Sequence, residues 1–487
     1  MFFLVQRSMD KPTALSISDA DWQQTPVSVQ GVMVSLWAEV KQLRCEVGKL
    51  REQVEKTSRN SSRPPSSDPP SVEKPARRPS GRQRGGQPGH EGHGRRLLPV
   101  EQVDEVVPVK PSVCRSCGAD LSGEEAHPFR HQVTEIPPVR ATVTEYQLHT
   151  LACSHCQTLT EASLPEGVPS GAFGPRVQAL TSLLSAGYRL SKRKVQLLLS
   201  DAFGVSMSLG SVSQLEQTTS AVVAPAVEAA KQYIQGQEAT NIDETGWKER
   251  RAKAWLWTAV TEWVTVFVIR LSRGSKVVRE LLGEDFDGVV GSDRWSAYRF
   301  LPLDQRQICW AHLKRDFQAF VDRGGESAPI GNLLLAQVDQ MFTWWHRVRD
   351  GTLKRSSFQT YMVDLKARVH LYLWSGQQET HPETAATCRE LLKVESALWT
   401  FVYKEGVEPT NNAAEQAVRH GVLWRKSSFG TQSATGSRFA ERMMTVIASL
   451  RQQQRNVLDY LTQACQATLL GQTPPSLLPK KLDTTLK

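Results

Sequence analysis

The chain has 487 residues, 40% of them hydrophobic and 22% charged, a globular composition long enough for about three or four domains. Lys and Arg number 59 against 50 Asp and Glu, a net charge of +9, which suits a polyanionic partner because each neutralised phosphate releases condensed counterions. No apolar run is long enough to cross a bilayer, and the opening Met1-Phe-Phe-Leu-Val5 is too short for a secretory core, so no membrane partner and a cytoplasmic location are expected.

Residues 1–59 form an N-terminal region with one organised segment, from about 29 to 56. Met33, Leu36, Val40, Leu43, Val47, Leu50 and Val54 recur there at spacings of three and four. This is a heptad seam, and a seam that buries one stripe needs a partner helix. A coiled coil joining copies of the chain into a homo-oligomer is the simplest partner; packing on the rest of the same chain is the alternative. Residues 60–99 are rich in Pro, Gly and Ser and almost without apolar side chains until Leu97. Such a segment cannot offset its ordering entropy, so a disordered basic linker is expected. Arg77, Arg78, Arg82, Arg84, Arg95 and Arg96 suit it to lie along DNA phosphates or in a minor groove, beside the plainer role of a solvated spacer.

From 100 to 165 the pattern is short and strand-like and carries Cys114-x-x-Cys117 and Cys153-x-x-Cys156. In a reducing compartment these cysteines are metal ligands before they are disulfides. Four thiolates match a closed tetrahedral Zn²⁺ site, which holds a domain together and leaves no position for catalysis. His127, His131 and His155 are spare candidates. Residues 166–235 have helical apolar spacing, with two helices around Phe203-Gly-Val205 that could be a helix-turn-helix with Lys192, Arg193 and Lys194 near phosphates, or an ordinary helical hairpin.

Residues 236–470 carry the third pattern. Short strands are predicted at Ala239 to Asp243, Trp255 to Val260, Val264 to Ile269 and ending at Val290, with a helix from Ser275 to Leu282 before the last. Helical spacing fills about 320–405 and returns from Asn411 to Leu470; 471–487 is a tail. Asp243 and Asp293 each follow a strand, and Glu415 lies early in a helix opened by Thr410-Asn-Asn-Ala-Ala-Glu415. A meander followed by a helix and a returning strand matches a ribonuclease-H-like core, in which the two Asp strands lie side by side. Two Asp and one Glu so placed can hold two Mg²⁺ ions, for which Mn²⁺ can substitute, and run an in-line phosphoryl transfer. Glu244 is expected to be a solvated neighbour facing away from Asp243, and Glu441 an ion-pair partner that rivals Glu415. Cys309 and His312 form a Cys-x-x-His pair: packing for the cysteine, and for His312 a phosphate contact or a place behind the metal ligands, are both open. Arg419, Arg425, Lys426 and Arg438, interleaved with Trp424 and Phe429, suit a DNA surface.

These residues resemble a transposase of the insertion-sequence sixty-six family over nearly the whole chain. The resemblance rests on Asn60-Ser-Ser-x-Pro-Pro-Ser-Ser-Asp68, Gly85-Gly-Gln-Pro-Gly-His90, the cysteine pairs, Asp243-Glu-Thr-Gly-Trp247, Cys309-Trp-Ala-His312, Thr410-Asn-Asn-Ala-Ala-Glu415 and Leu423-Trp-Arg-Lys-Ser-Ser-Phe-Gly-Thr-Gln432. Asp293-Arg-Trp295 departs from the family's expected Gly and second aromatic after the acid. The resemblance implies a DDE transposase with Asp243, Asp293 and Glu415 as its catalytic acids. It would bind double-stranded element ends, cleave them and join the 3′ ends to target DNA, and it could work with small co-encoded proteins. The fold implied is multidomain α/β: coiled coil, zinc domain, helical DNA-binding region and a ribonuclease-H-like core with a helical insertion. A related nuclease or resolvase that does not join, and a non-catalytic zinc DNA-binding regulator, are the alternatives.

Overall fold

The computed structural model describes residues 10–11, 16–61, 68 and 96–479. Among them no helix is long and apolar enough to cross a membrane. The chain divides into two units, one of residues 1–72, 146–196 and 207–487, the other of 73–145 and 197–206.

The first unit begins with α1 (Asp19–Gln24) and α2 (Val27–Glu55). Ser18 caps α1 by accepting a hydrogen bond from the Asp21 amide at 3.1 Å. The heptad seam lies on α2, and Leu36, Leu43, Leu50 and Val54 stand exposed. A two-stranded hairpin, β1 (Thr150–Ala152) with β2 (Leu159–Glu161), is followed by α3 (Pro175–Ala186), by α4 (Lys192–Phe203), whose residues from 197 on belong to the second unit, and by α5 (Leu209–Val222) and α6 (Ala224–Gln235). Gly204, at φ +67°, lies in the turn between α4 and α5.

The sheet comes next: β3 (Ala239–Glu249), β4 (Ala252–Val260), β5 (Thr265–Arg270), then α7 (Ser275–Leu282), β6 (Val289–Ser292) and β7 (Arg306–Ile308). The spatial order is β5-β4-β3-β6-β7. The first three strands are an antiparallel meander; β6 and β7 join β3 in parallel, after the α7 crossover that parallel pairing requires. Side chains alternate between two cores, as a strand buried on both faces demands. Trp257, Ala259, Val266 and Val268 enter the core shared with Val277, Leu281, Met443 and Val446. Ala254, Leu256, Phe267 and Ile269 enter the other, with Ala440 and Met444. The strand prediction for residues 239–243 was too short: β3 runs on to Glu249. The short strand β7 escaped prediction because Arg306 and Gln307, though polar, are buried in it.

Five helices form the insertion: α8 (Trp310–Arg323), α9 (Ser327–Arg349), α10 (Arg355–Gly376), α11 (Pro382–Lys393) and α12 (Thr400–Tyr403). Their own core contains Phe317, Phe358, Trp345 and Phe401. It reaches the sheet at Val289 of β6 and Ile308 of β7, and within it the Trp310 indole donates to the Leu398 carbonyl at 2.7 Å and lies 4.7 Å from Trp399. Arg323 joins this insertion to α2 by bonding Glu52 at 2.7 Å, and Asn60 donates to Asp322 at 2.9 Å. The chain ends in α13 (Asn412–Ser428), α14 (Ala434–Gln452) and α15 (Val457–Leu469). Along the outer edge of β5, the amides of Thr265, Phe267 and Ile269 donate to Ser449, Thr445 and Glu441 of α14 at 3.1, 2.9 and 2.8 Å. Four residues of helix rise about 6 Å and two residues of strand about 6.6 Å, so the two repeats stay in step.

In the second unit an isolated bridge joins Val113 to Asp120, and Arg130 and Gln132 both donate to the Leu98 carbonyl at 2.6 and 3.0 Å. The strand-rich pattern predicted over 100–165 is realised only as this bridge and the β1–β2 hairpin. Val109, Ile136 and Val143 remain exposed, and none of the described residues from 96 to 165 is buried, so they offer no core on which a larger sheet could lie.

The turn between α13 and α14 constrains one position sharply. Gly430 has φ +108°, and a Cβ there would collide with the Lys248 carbonyl of β3. Gly430→Ala is expected to destabilise the protein by about 1–3 kcal/mol, read as a lowered Tm, because it combines a strained backbone with a backbone clash; an unchanged Tm would contradict this packing.

Candidate active site and cysteine knuckles

Asp243 and Asp293 are brought together by the parallel register of β3 and β6. Asn241 pairs with Gly291, and each acid lies two residues beyond that pair, at the same level. The close approach requires glycine: a Cβ on Gly291 would collide with the Asn241 side-chain oxygen. Glu415 arrives from the first turn of α13. That helix is anchored by Asn411, which is fully buried. Its side-chain NH₂ donates to the Ile242 carbonyl at 2.9 Å, and its backbone amide donates to Cys309 Sγ at 3.2 Å. The Glu415 amide in turn donates to the Asn411 carbonyl at 3.1 Å. The sequence marked Asn411 only as the start of a helix; its tie to β3 is a tertiary contact that no local pattern carries.

The three carboxyls lie within electrostatic reach of one another. Burial, and then the charges of Glu244, Asp293 and Glu415, hold the Asp243 carboxyl well above its ordinary range. Burial also raises Asp293, against the Trp295 amide that donates to its Oδ1 at 2.8 Å. Burial raises Glu415 too, opposed by Arg315, whose Nη2 lies 3.5 Å from Oε1.

Glu244 departs from expectation. Its side chain is sealed from solvent, with Arg273 at 2.8 Å and the Tyr298 hydroxyl donating at 3.0 Å. It stays inside because both partners meet it there, and it adds to the charge acting on Asp243. Burial, with Glu244 beside it, drives the Tyr298 hydroxyl well above its ordinary range, so the phenol remains a donor. The Arg273 guanidinium also lies over the rings of Trp295 and Trp255, 3.7 and 4.5 Å from their centres, cation–aromatic contacts that sequence reasoning missed. Glu441 is committed elsewhere: it accepts from the Ile269 amide and pairs with Arg270 at 3.1 Å.

His312 sits in the first turn of α8, its Nδ1 3.4 Å from Glu415 Oε1. Burial, helped by Arg315 and Arg294, pushes its pKa down to about 3, so the imidazole is neutral near neutral pH. Cys309, buried just before the helix, has its thiol pushed up to about 11 by burial. Cys309, His312 and Glu415 present ligand atoms that all lie within 4.8 Å of one another.

The basic candidates separate into three groups. Arg77, Arg78, Arg82, Arg84 and Arg95 lie outside the described residues. Arg96, Lys426 and Arg438 are exposed. Arg425 is a clamp between α13 and β3, bonded to the Gly246 carbonyl and to the Thr245 hydroxyl at 3.4 Å. Lys192 is likewise occupied, by Glu216 at 2.9 Å and Ser213 at 2.7 Å, whereas Arg193 and Lys194 are exposed. Trp424 packs edge-on against Phe439 at 6.5 Å, and Phe429 is exposed at a left-handed φ of +60°.

The two cysteine knuckles share one local geometry. In the first, the Gly118 amide donates to the Cys114 carbonyl at 2.9 Å and the Cys114 amide to Ala119 at 2.8 Å. In the second, Gln157 donates to Cys153 at 2.8 Å and Cys153 to Thr158 at 2.9 Å. Gly118 and Gln157 hold the same left-handed position, at φ +75° and +61°, directly after the second cysteine. The turn leaves amides and hydroxyls for sulfur: an amide bond from Cys117 lowers the Cys114 pKa, and the Thr158 hydroxyl, 3.2 Å from Sγ, lowers that of Cys156.

Known proteins share these segments. Residues 111–157, with both knuckles, match the zinc-finger binding domain of transposase IS66, so the chain carries a zinc-finger domain. Residues 17–96 match a family of unknown function. The uncharacterized protein y4qI of Sinorhizobium fredii (strain NBRC 101917 / NGR234) is 24% identical over 242 residues, 44% of this chain and 43% of that protein. The uncharacterized protein y4hP of the same strain is 20% identical over 384 residues, 72% of this chain and 69% of its own length. The chain thus spans less than half the length of the first relative. The Transposase IS66 family matches residues 171–439, more than half of the chain, including the sheet, the insertion and all three acids. On that match the chain belongs to the IS66 transposase family.

Proposed function

We propose that this transposase cleaves the ends of a mobile element and joins their 3′ ends to target DNA, with Asp243, Asp293 and Glu415 as the catalytic acids of a ribonuclease-H-like core. The carrying observation is the convergence of three carboxyls from β3, β6 and α13 around Asp243, whose carboxyl is held well above its ordinary range. Glu244 and Glu441 have cationic side chains bound to them at 2.8 and 3.1 Å; the closest cation to Glu415 is at 3.5 Å. The set left for a ligand is all carboxylate oxygen, which suits a hard cation such as Mg²⁺ or Mn²⁺. When bound, two such ions supply charge neutralisation for the attacking and leaving oxygens of an in-line phosphoryl transfer. The chain's part is to hold its carboxylates at fixed separation and to seat the DNA against exposed Arg96, Lys426 and Arg438. Arg77, Arg78, Arg82, Arg84 and Arg95 would extend that seat, as would Arg193 and Lys194 on α4 of a helix-turn-helix-like pair. We assign the structural zinc to Cys114, Cys117, Cys153 and Cys156, and the seam of α2 to pairing of subunits, so that two element ends are held together in the cytoplasm.

Holding raised carboxyls in the folded state has a pH signature. Below about pH 4 these acids are protonated both folded and unfolded. As pH rises above that, the unfolded chain releases its protons first, so the metal-free protein loses stability. Asp243→Asn is therefore expected to raise the Tm of metal-free protein at pH 7, by an amount that shrinks as pH falls toward 4. An equal Tm difference at both pH values would contradict the cluster.

The catalytic assignment is tested by excision of element-end DNA in Mg²⁺, beside a gel shift on the same DNA. Asp243→Asn, Asp293→Asn and Glu415→Gln are each expected to lower cleavage by about a hundredfold or more while DNA binding persists. Cleavage retained by Glu415→Gln, or by Asp243→Asn, would overturn the assignment.

Subunit pairing is tested by Leu43→Asp/Leu50→Asp, which buries charge in an apolar seam at a cost of several kcal/mol. Light scattering is expected to show the mass falling to that of one chain; an unchanged mass would exclude the coiled coil.

A further inference from the structure

We propose that Cys309, His312 and Glu415 form a binding site for one Zn²⁺-class cation, distinct from the cysteine knuckles and sharing Glu415 with the catalytic acids. The site stands on geometry alone; only its consequence for cleavage rests on the function proposed above.

The donors are a sulfur, an imidazole nitrogen and a carboxylate oxygen, all within 4.8 Å of one another. Tetrahedral zinc with these ligands needs donor separations of roughly 3.5 Å, so side-chain rotation closes the set without moving backbone. The backbone is already fixed. The Cys309 amide donates to the Ser292 carbonyl at the end of β6 at 2.9 Å. The His312 amide donates to the Cys309 carbonyl at 3.1 Å. Asn411 bonds Cys309 Sγ and, through its carbonyl, the Glu415 amide.

Two details suit this position to a cation. His312 Nδ1 is buried with no hydrogen-bond partner among the described residues, its closest acidic oxygen there being Glu415 at 3.4 Å. A buried ring nitrogen left so carries a desolvation penalty that a bound cation removes. The Asn411 amide aimed at Cys309 Sγ is the kind of outer contact that orients a metal-bound thiolate. Mg²⁺ would not choose this set, since it takes oxygen ligands; sulfur and imidazole select zinc, cadmium or cobalt. Three protein ligands leave a fourth position open, unlike the closed four-cysteine set.

The consequence is competition for one carboxylate. A zinc-class ion at Cys309 and His312 draws Glu415 toward sulfur and away from Asp243 and Asp293, so occupancy of this site and cleavage in Mg²⁺ exclude each other.

The test uses the full chain, isolated with its zinc domain loaded, titrated with Co²⁺ in the absence of DNA. Uptake of one equivalent beyond the zinc domain is expected, with sulfur-to-cobalt charge-transfer absorbance. His312→Gln, which keeps the packing of α8, is expected to weaken that equivalent at least about tenfold, and Cys309→Ser to abolish the charge-transfer band. Cys114→Ser/Cys153→Ser is expected to retain it. No added equivalent in the unaltered chain, or the same affinity and band in His312→Gln, would overturn the proposal. Because the readout is binding without DNA, its failure leaves the cleavage assignment untouched, and failure of cleavage leaves this site untouched.

Discussion

Carboxylates confined in a half-buried cleft repel one another, and the architecture around Asp243 must hold them together against that force. Strand pairing does most of it. The register of β3 against β6 is fixed by backbone bonds and by a glycine at Gly291 that lets Asn241 approach. Side chains alone could rotate away; two adjacent parallel strands cannot separate without breaking the sheet. Asn411 extends the same restraint to the third acid, since its bond to Ile242 fixes the start of α13 on the very strand that carries Asp243.

Asp243, Glu244, Asp293, Glu415 and Glu441 are sorted by their partners. Glu244 is clasped by Arg273 and Tyr298, and Glu441 by Arg270 and the Ile269 amide. Among the described residues no cation is bonded to Asp243, and the charges that act on it most are negative. Uncompensated negative charge at a fixed place is a poor arrangement for folding and a good one for recruiting cations. Glu244 serves that arrangement indirectly: it bonds Arg273, whose guanidinium lies over the rings of Trp255 and Trp295, beside the loop that carries Asp293.

The legible parts of the sequence were those written in local pattern. The helix expected at roughly Ser275 to Leu282 is found there, because its apolar positions recur at helical spacing between Gly274 and Gly283. Asp293 after β6 and Glu415 at a helix start were readable from strand and cap signals, and the knuckles from cysteine spacing; Asp243, expected at a strand end, lies inside β3. What was hidden depends on partners distant in sequence. Glu244 looked solvated because Arg273 and Tyr298, which enclose it, lie about thirty and fifty residues on. Arg425 looked like a phosphate contact because nothing nearby in sequence announces the Gly246 carbonyl. The short strand β7 has no apolar alternation; Gln307 is buried there because its amide group bridges to Leu398 and Phe401.

The ladder of Ser449, Thr445 and Glu441 along β5 has a consequence for assembly. An edge strand with free amides invites a strand from another chain to add on, which is the usual route of β-augmentation and of edge-to-edge aggregation. Here three successive outward amides are already spoken for by a helix whose rise keeps pace with the strand. The far end of β3 is closed in the same spirit, by the bridge from Glu249 to Thr431. A protein that must bring several copies of itself onto one stretch of nucleic acid works at high local concentration, where exposed sheet edges would be a hazard. Were copies of this chain to crowd together in that way, the sealed meander edge would offer them no strand to share.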